Sequence, residues 1–340
     1  MTESVVPMVV LAASAVASSL LVRVVRDFAN RRALLDHPND RSSHGLPKPR
    51  LGGVGVVVPV LAVGTWLLLT GRAHGSLAVP LVATGCIAML GFADDLRSLP
   101  ARVRLGVQVA LAVVAVASAW GRLPAAAGVL GGLIPVPILA VLAVLWSVWL
   151  TNLYNFMDGI DGIAGVQALV ASLALASVAS AVGAGTSGWL LLALAGSSAG
   201  FLLYNFPPSS IFMGDVGSTA IGFFLGVLPL LPETRPVPLE PVAIALSLFV
   251  LDATTTLVRR IVRREPWTTP HRTHLYQRPI VLGATHGAVL LTATAGMVMV
   301  AVCAAKWMEA SGPTKLGLLA VPVAIFAAGQ VVVGRMERKA

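Results

Sequence analysis

Between residues 152 and 162 the chain reads NLYNFMDGIDG, placing Asn152, Asn155, Asp158 and Asp161 at every third position. The stretch follows an apolar run ending in LWSVWL, in a chain where only 11% of residues are charged. Carboxylates beside hydrocarbon are costly and need a compensating partner. In a regular α-helix a three-residue step drifts by about 60°, which spreads the four side chains over half the circumference. A tighter or broken turn, which Gly159 and Gly162 permit, would align them, and irregular backbone at this depth is tolerated where it lines a polar cavity. Carboxylate and amide oxygens are hard ligands that suit Mg²⁺, an ion that keeps waters and binds through one or two protein groups plus substrate phosphates. The chemistry points to a phosphate substrate; calcium or a transported cation fits the same ligands.

The other acids extend the pattern. Asp94 and Asp95 lie in GFADDLRSL and Asp215 in IFMGDVGS, each at the end of an apolar run. One aspartate at a helix end is most simply solvated or paired with a nearby arginine. Five beside glycine-rich turns, facing many arginines, mark a substrate or ion path at the membrane boundary.

The elements that position them follow from composition. With 340 residues, 56% hydrophobic, 15 acidic side chains and a mean hydropathy of +0.85, the sequence describes an all-α, polytopic integral membrane protein in one domain, 1–340. Eleven transmembrane spans are expected, at 4–22, 52–71, 76–93, 105–120, 134–154, 163–182, 188–206, 219–231, 242–258, 286–304 and 316–334. The spans at 105–120 and 219–231 are short, and the one near 134 begins in GVLGGLIPVP, so these three are expected to be tilted, broken or longer than drawn. With the N-terminus outside, 19 of the 24 basic residues fall in cytoplasmic segments and 5 outside, a positive-inside asymmetry that also puts the C-terminus in the cytoplasm. All five acids then lie at the cytoplasmic face.

The net charge of +9 is thus mostly topology. The basic residues are dispersed over short loops, so the lipid bilayer and not nucleic acid is the expected partner. The first span, preceded by MTES with no basic residue, reads as a retained helix and not a cleaved signal peptide. Cys86 and Cys303 fall inside spans and suggest neither a disulfide framework nor a zinc site.

Five motifs in order, DHPNDRSSHGLPKPRLGG (36–53), DDLRSL (94–99), NLYNFMDGIDGIAG (152–165), FMGDVGS (212–218) and the histidine pair in PHRTHLYQR (270–278), resemble the polyprenyl-phosphate N-acetylhexosamine-1-phosphate transferases. These bacterial membrane enzymes are related to the phospho-MurNAc-pentapeptide transferase of peptidoglycan synthesis. The resemblance implies that a UDP-N-acetylhexosamine gives its sugar phosphate to undecaprenyl phosphate, releasing UMP, with Mg²⁺ as cofactor and Mn²⁺ as a substitute. It implies a multi-pass protein of the bacterial inner (cytoplasmic) membrane, and assembly into homodimers is allowed for.

Residue by residue, the resemblance makes Asp215 the principal metal ligand and Asn155 a second. Asp158 and Asp161 lie against nucleotide-sugar and metal. Asn205 and Phe212 match positions that hold the uracil, with a buried structural aromatic as the alternative for Phe212. Asp94 and Asp95 match the acidic pair at the lipid-phosphate end, as proton acceptor or as orienting group. Arg41, His44 and Arg50 are candidates for anion contacts, with juxtamembrane charge an equal reading for Arg50 and the favoured one for Arg31 and Arg32. His271, Arg272 and His274 are candidates to clasp the pyrophosphate. Asp252, about two helical turns before Arg259 and Arg260, reads as a buried pairing or structural residue.

Two departures separate the chain from the peptidoglycan branch: KPRLGG stands where that branch has TPTMGG, and PHRTH where it has three histidines. The loop looks more like the branch that starts O-antigen or related lipopolysaccharide and envelope glycans, which favours GlcNAc-1-phosphate or a 6-deoxy relative over the pentapeptide substrate. An ion-coupled transporter is the rival class, but its charges would sit nearer mid-membrane. The topology is testable: cytoplasmic reporters fused after residue 100 and after residue 340 should both be active, and a periplasmic signal at 340 would remove at least one span.

Overall fold

A computed structural model describes residues 5–36, 47–265 and 271–340. The architecture is helical throughout, apart from one two-stranded antiparallel pair, β1 (Leu35–Asp36) with β2 (Lys48–Pro49). The helices are α1 (Val5–Arg31), α2 (Val54–Leu69), α3 (Ala78–Leu96), α4 (Ala101–Ser118), α5 (Leu123–Ala126), α6 (Val136–Met157), α7 (Ile163–Val182), α8 (Gly185–Asn205), α9 (Asp215–Val227), α10 (Leu239–Ala245), α11 (Ser247–Val262), α12 (Arg278–Val281), α13 (His286–Lys306) and α14 (Gly312–Glu337).

Every expected span lies on a helix. Among the described residues, eight helices are long and apolar enough to cross a bilayer, which makes this a multi-pass membrane protein. The expected span at 242–258 is the pair α10 and α11, bent by 74°. The remaining two, α2 and the segment Asp215–Leu230, are shorter apolar helices. The last of these begins four residues before its expected start at 219. Its first turn carries an aspartate and a glycine, and apolar periodicity does not register either.

Glycines set where helices meet closely. Gly162 (φ +84°) and Gly183 (φ +80°) adopt the left-handed conformation at the two ends of α7, which only glycine enters cheaply. The Tyr154 hydroxyl, fully buried, donates to the Ala164 carbonyl at 2.7 Å and ties α6 to α7. In the apolar interior such a bond also removes a desolvated donor.

The segment leading into α2 is threaded through the segment leading into α9. Phe212 N donates to Pro49 O (2.9 Å), Gly52 N to Phe212 O (2.9 Å) and Gly53 N to Met213 O (2.8 Å). Two motifs 160 residues apart in sequence thus form one short ladder. A Cβ at Gly53 would collide with the Gly217 backbone and stand 2.9 Å from the Met213 carbonyl. Backbone cannot retreat as a flexible side chain can. Gly53→Ala should therefore destabilise the detergent-solubilised protein by about 1–3 kcal/mol, read as a lower thermal midpoint, whereas Gly75→Ala, with nothing within 4 Å, should not. Equal midpoints for the two variants would refute the packing role.

Candidate active site

The site begins where α3 ends and α9 starts. Asp95 accepts from the backbone amides of Asp215 and Val216, each at 3.0 Å, one per carboxylate oxygen. The first amides of a helix have no intrahelical acceptor, and a carboxylate there also meets the positive end of the helix dipole. Gly214 (φ +75°) makes the approach possible, since a Cβ on it would fall 2.6 Å from an Asp95 oxygen. Asp95 therefore positions Asp215.

The Asp215 side chain lines a cavity of about 40 Å³ with Asn155, Arg104, Gln108 and Asn152. One of its oxygens accepts from Asn155 Nδ2 at 2.8 Å; the other faces the Arg104 guanidinium at 3.3 Å. The same Arg104 nitrogen is hydrogen-bonded to Asp94, whose other oxygen accepts from Leu99 N at 2.5 Å. Deeper in the cavity, Asn152 donates to Gln108 at 2.7 Å. A space of this size suits an ion with a water or two, not a nucleotide.

A second cluster surrounds the turn after α6. Asp161, 5% exposed, accepts from Ser209 N (3.0 Å) and Ser209 Oγ (2.7 Å), with Lys48 Nζ at 3.4 Å and His286 Nδ1 at 3.6 Å. Burial works against its charge, but the His286 and Ser209 hydrogen bonds and the Lys48 charge prevail and hold its carboxyl well below the usual range. Lys48 also donates to Ser209 Oγ (2.9 Å) and stands 5.2 Å from the centre of the Phe212 ring. Asn205 is buried with both ends of its amide engaged: it accepts from Gly162 N at 3.0 Å and donates to Ile211 O at 2.8 Å. It holds two loops together.

Asp158 behaves differently. Half-buried at the end of α6, it makes no side-chain hydrogen bond or ion pair among the described residues. Removal from water, with the Asp95 and Asp161 charges nearby, pushes its carboxyl up to about 7.

The remaining candidates divide. His271 and His274 stand together, ring centres 4.9 Å apart, on a segment whose Tyr276 hydroxyl reaches the Phe156 carbonyl at 3.1 Å. Arg272 is on the same segment, half-buried. Arg50 is paired with Asp36 at 2.5 Å, across the strand pair. Arg41 and His44 lie outside the described residues. Asp252 is paired with the 274–276 segment, and among the described residues no ion pair joins it to an arginine; Arg260 faces Glu265 at 3.6 Å. Sequence reasoning missed Arg104, Lys48, Ser209 and His286 as site residues. Lys48 and Arg104 were legible only as charges; Lys48 meets Asp161 and Arg104 meets Asp215 from segments more than 100 residues away, and Arg104 also meets Asp94 near it in sequence.

The oxygens of Asp215 and Asn155 suit a hard cation. The Asn155 amide here turns its nitrogen toward Asp215, so ligation through its oxygen requires the amide to flip about its last side-chain torsion. Among the described residues no three of His, Cys, Asp and Glu are grouped to hold a metal. An ion held by these two residues must take its other ligands from substrate and water, which is the habit of Mg²⁺.

Residues 77–232 match the family model described as glycosyl transferase family 4. The chain is 29% identical over 284 residues to a probable undecaprenyl-phosphate N-acetylglucosaminyl 1-phosphate transferase of Bacillus subtilis, covering 78% of this chain and 75% of that protein. It is 28% identical to a decaprenyl-phosphate N-acetylglucosaminephosphotransferase of Mycobacterium leprae, over 77% of this chain and 74% of the relative. A phospho-N-acetylmuramoyl-pentapeptide-transferase of Rhodopseudomonas palustris is 42% identical, but over 77 residues, 23% of this chain and 20% of that protein.

The Asp158 environment generates a pH prediction. Its carboxyl titrates near 7 in the fold and near 4 in an unfolded chain. The folding penalty is therefore absent below pH ~4, grows as pH rises, and is complete above pH ~7. In chelator, Asp158→Asn should raise the thermal midpoint over the parent at pH 8 and leave it unchanged near pH 4. A midpoint difference independent of pH would contradict this environment.

Proposed function

We propose, on the premise that this chain belongs to glycosyl transferase family 4, that it transfers an N-acetylhexosamine 1-phosphate from a UDP-sugar to a polyprenyl phosphate. An oxygen of the lipid phosphate attacks the β-phosphorus of the nucleotide sugar. The bond from that phosphorus to the bridging oxygen breaks, UMP leaves with the electron pair, and a sugar-diphospho-lipid stays in the membrane. The observation that carries this reading is the juxtaposition of Asp215 and Asn155, in a cavity lined by a guanidinium, with the Asp158–Asp161 turn on the same chain segment as Asn155.

Each residue has work to do in that reaction. Asp215 and Asn155 would hold Mg²⁺, which when bound offsets phosphate charge. Arg104, already between two carboxylates, supplies positive charge where the acceptor phosphate must arrive, with Asp94 fixing its direction. Lys48 and Phe212 form a cation-and-ring pair on the other flank, suited to the uracil and the adjoining phosphate. His271 and His274 extend positive or hydrogen-bonding character toward the diphosphate. Catalysis is then mainly placement of charge around the transferred phosphoryl group. Because one phosphoanhydride replaces another, the reaction should run readily in both directions.

The expected setting is the bacterial inner membrane with the site end of the bundle facing the cytoplasm, where nucleotide sugars are made. The sugar expected is GlcNAc or a 6-deoxy relative such as QuiNAc or FucNAc. The pentapeptide substrate is disfavoured by KPRLGG and PHRTH. The test is UMP release from purified protein with lipid phosphate and Mg²⁺, comparing UDP-GlcNAc, its 6-deoxy analogues and UDP-MurNAc-pentapeptide at equal concentration. An N-acetylhexosamine donor should be preferred, and Asp215→Ala should lose ~100-fold or more in kcat, with Asn155→Ala less affected. Preference for the pentapeptide donor would overturn the sugar assignment. A folded Asp215→Ala protein with the parent's rate would overturn the cation site.

A further inference from the structure

We propose that Asp252, on α11, is a positioning residue: it anchors the 273–277 segment and, through it, sets the place of the His271/His274 pair and of the turn bearing Asp158. The idea rests on the proposed transfer reaction for its kinetic readout, but the anchor itself is a matter of geometry.

Asp252 is 3% exposed and does not line the Asp215 cavity. A buried carboxylate needs its lone pairs satisfied. One oxygen accepts from Leu275 N at 2.8 Å and from Thr256 Oγ1 at 3.2 Å, with His274 Nδ1 at 3.4 Å. The other faces Tyr276 N at 3.4 Å. Thr256, one helical turn away, would suffice for a residue that served only α11. The remaining partners lie on a separate segment, the two amides 23 and 24 residues further on.

That segment is fixed at further points, each leading toward the site. Arg259 donates to the Thr273 carbonyl at 2.7 Å. The Tyr276 hydroxyl donates to Phe156 O at 3.1 Å, in the last turn of α6, two residues before Asp158. Gly159 leaves room for this, since a Cβ there would strike the Tyr276 hydroxyl and stand 2.8 Å from Gln277 Nε2. The rings of His271, His274 and Tyr276 follow one another at 4.9 and 5.8 Å. Beyond them Arg278 forks onto Glu337 at 2.7 and 2.5 Å and reaches Gln330 at 2.7 Å, bracing the segment against α14. Both histidines and the Asp158 turn thus depend on where Leu275 and Tyr276 sit, and Asp252 determines that.

The charge and shape of the side chain both matter. An asparagine would present one acceptor and one N–H₂ group, and the latter would face a backbone N–H. Donor against donor would lift the segment. Glutamate keeps both acceptors on a longer stem.

The experiment compares Asp252→Asn, Asp252→Glu, Tyr276→Phe and the double variant Asp252→Asn/Tyr276→Phe, using UMP-release kinetics and amide hydrogen exchange over 271–277 in the full chain. Asp252→Asn should speed exchange in this segment and lower kcat about 10- to 100-fold, as expected when reacting groups are misplaced by about an ångström, while KM for lipid phosphate stays within about threefold. Asp252→Glu should recover part of the loss. The double variant should be no worse than Asp252→Asn within about threefold, because both changes release one device. Unchanged exchange would refute the anchor. Faster exchange with the parent's kcat, or losses that multiply in the double variant, would refute the positioning role. Should Asp252→Asn not fold, Tyr276→Phe decides alone: kcat equal to the parent's overturns the proposal. If the parent shows no turnover, the transfer reaction fails, while the exchange measurement still settles the anchor.

Discussion

Two hydrogen bonds, from the backbone amides of Asp215 and Val216 to the carboxylate of Asp95, organise the site end of this bundle. A helix that begins at the edge of hydrocarbon exposes amides that water cannot reach, and each unsatisfied one costs free energy. Supplying the acceptors from the end of α3 satisfies them and joins two helices at a fixed height. The close approach needs Gly91 against the Asp215 backbone and Gly214 against the Asp95 carboxylate. With the backbone fixed, the Asp215 side chain has its direction set before any substrate arrives. Preorganisation of this kind is what electrostatic catalysis requires, because a group that must be gathered during the reaction returns little of its interaction energy to the transition state.

Charge balance follows from the same constraint. Asp94 is matched by Arg104, Asp161 by Lys48, Ser209 and His286, and Asp252 by the amides and histidine of the 274–276 segment. Asp158 makes no side-chain hydrogen bond or ion pair among the described residues, and burial, helped by the nearby Asp95 and Asp161 charges, pushes its carboxyl up to about 7. A carboxylate placed this way is costly in the empty protein and becomes favourable once positive charge is added. If a cation binds at Asp215 and Asn155 as proposed, Asp158 would be the complementary part of that arrangement, a local penalty that ligand binding would relieve.

Much of this was legible in the sequence, for physical reasons that differ by element. Long continuous apolar runs mark bilayer-spanning helices because a helix satisfies its own backbone in lipid within one segment, so every expected span is found on a helix. The start of α9 was misplaced since its stability comes from Asp95, more than 100 residues earlier in the chain. The carboxylates stood out because charge is rare here. Their partners did not: Lys48, Arg104 and His286 look like ordinary juxtamembrane residues until the fold delivers them to Asp161, Asp94 and Asp215. Asn205 was read as a substrate contact, whereas its amide is engaged at both ends by backbone. Asp252 was read against the arginines on its own helix, although besides Thr256 its partners come from the following segment. A residue type and a position suggest chemistry; only the fold says which partner claims it.

The placement of cations also bears on how two anions can meet. Lys48 stands at Asp161 and the Phe212 ring, with the His286 imidazole also beside Asp161, on the side of the segment before α2. Arg104 gathers with Asp94 and Asp215 on the side of α3 and α4, opening to Gln108 and Asn152. A single pooled cluster of bases would attract both phosphates to the same point, where they would compete. Two separate groups, the second including the Asp215 and Asn155 pair beside Arg104, would instead give each anion of the proposed reaction its own partners. In the proposed reaction the remaining requirement is alignment, to which the Asp95 cap and, on our proposal, the 273–277 segment would contribute.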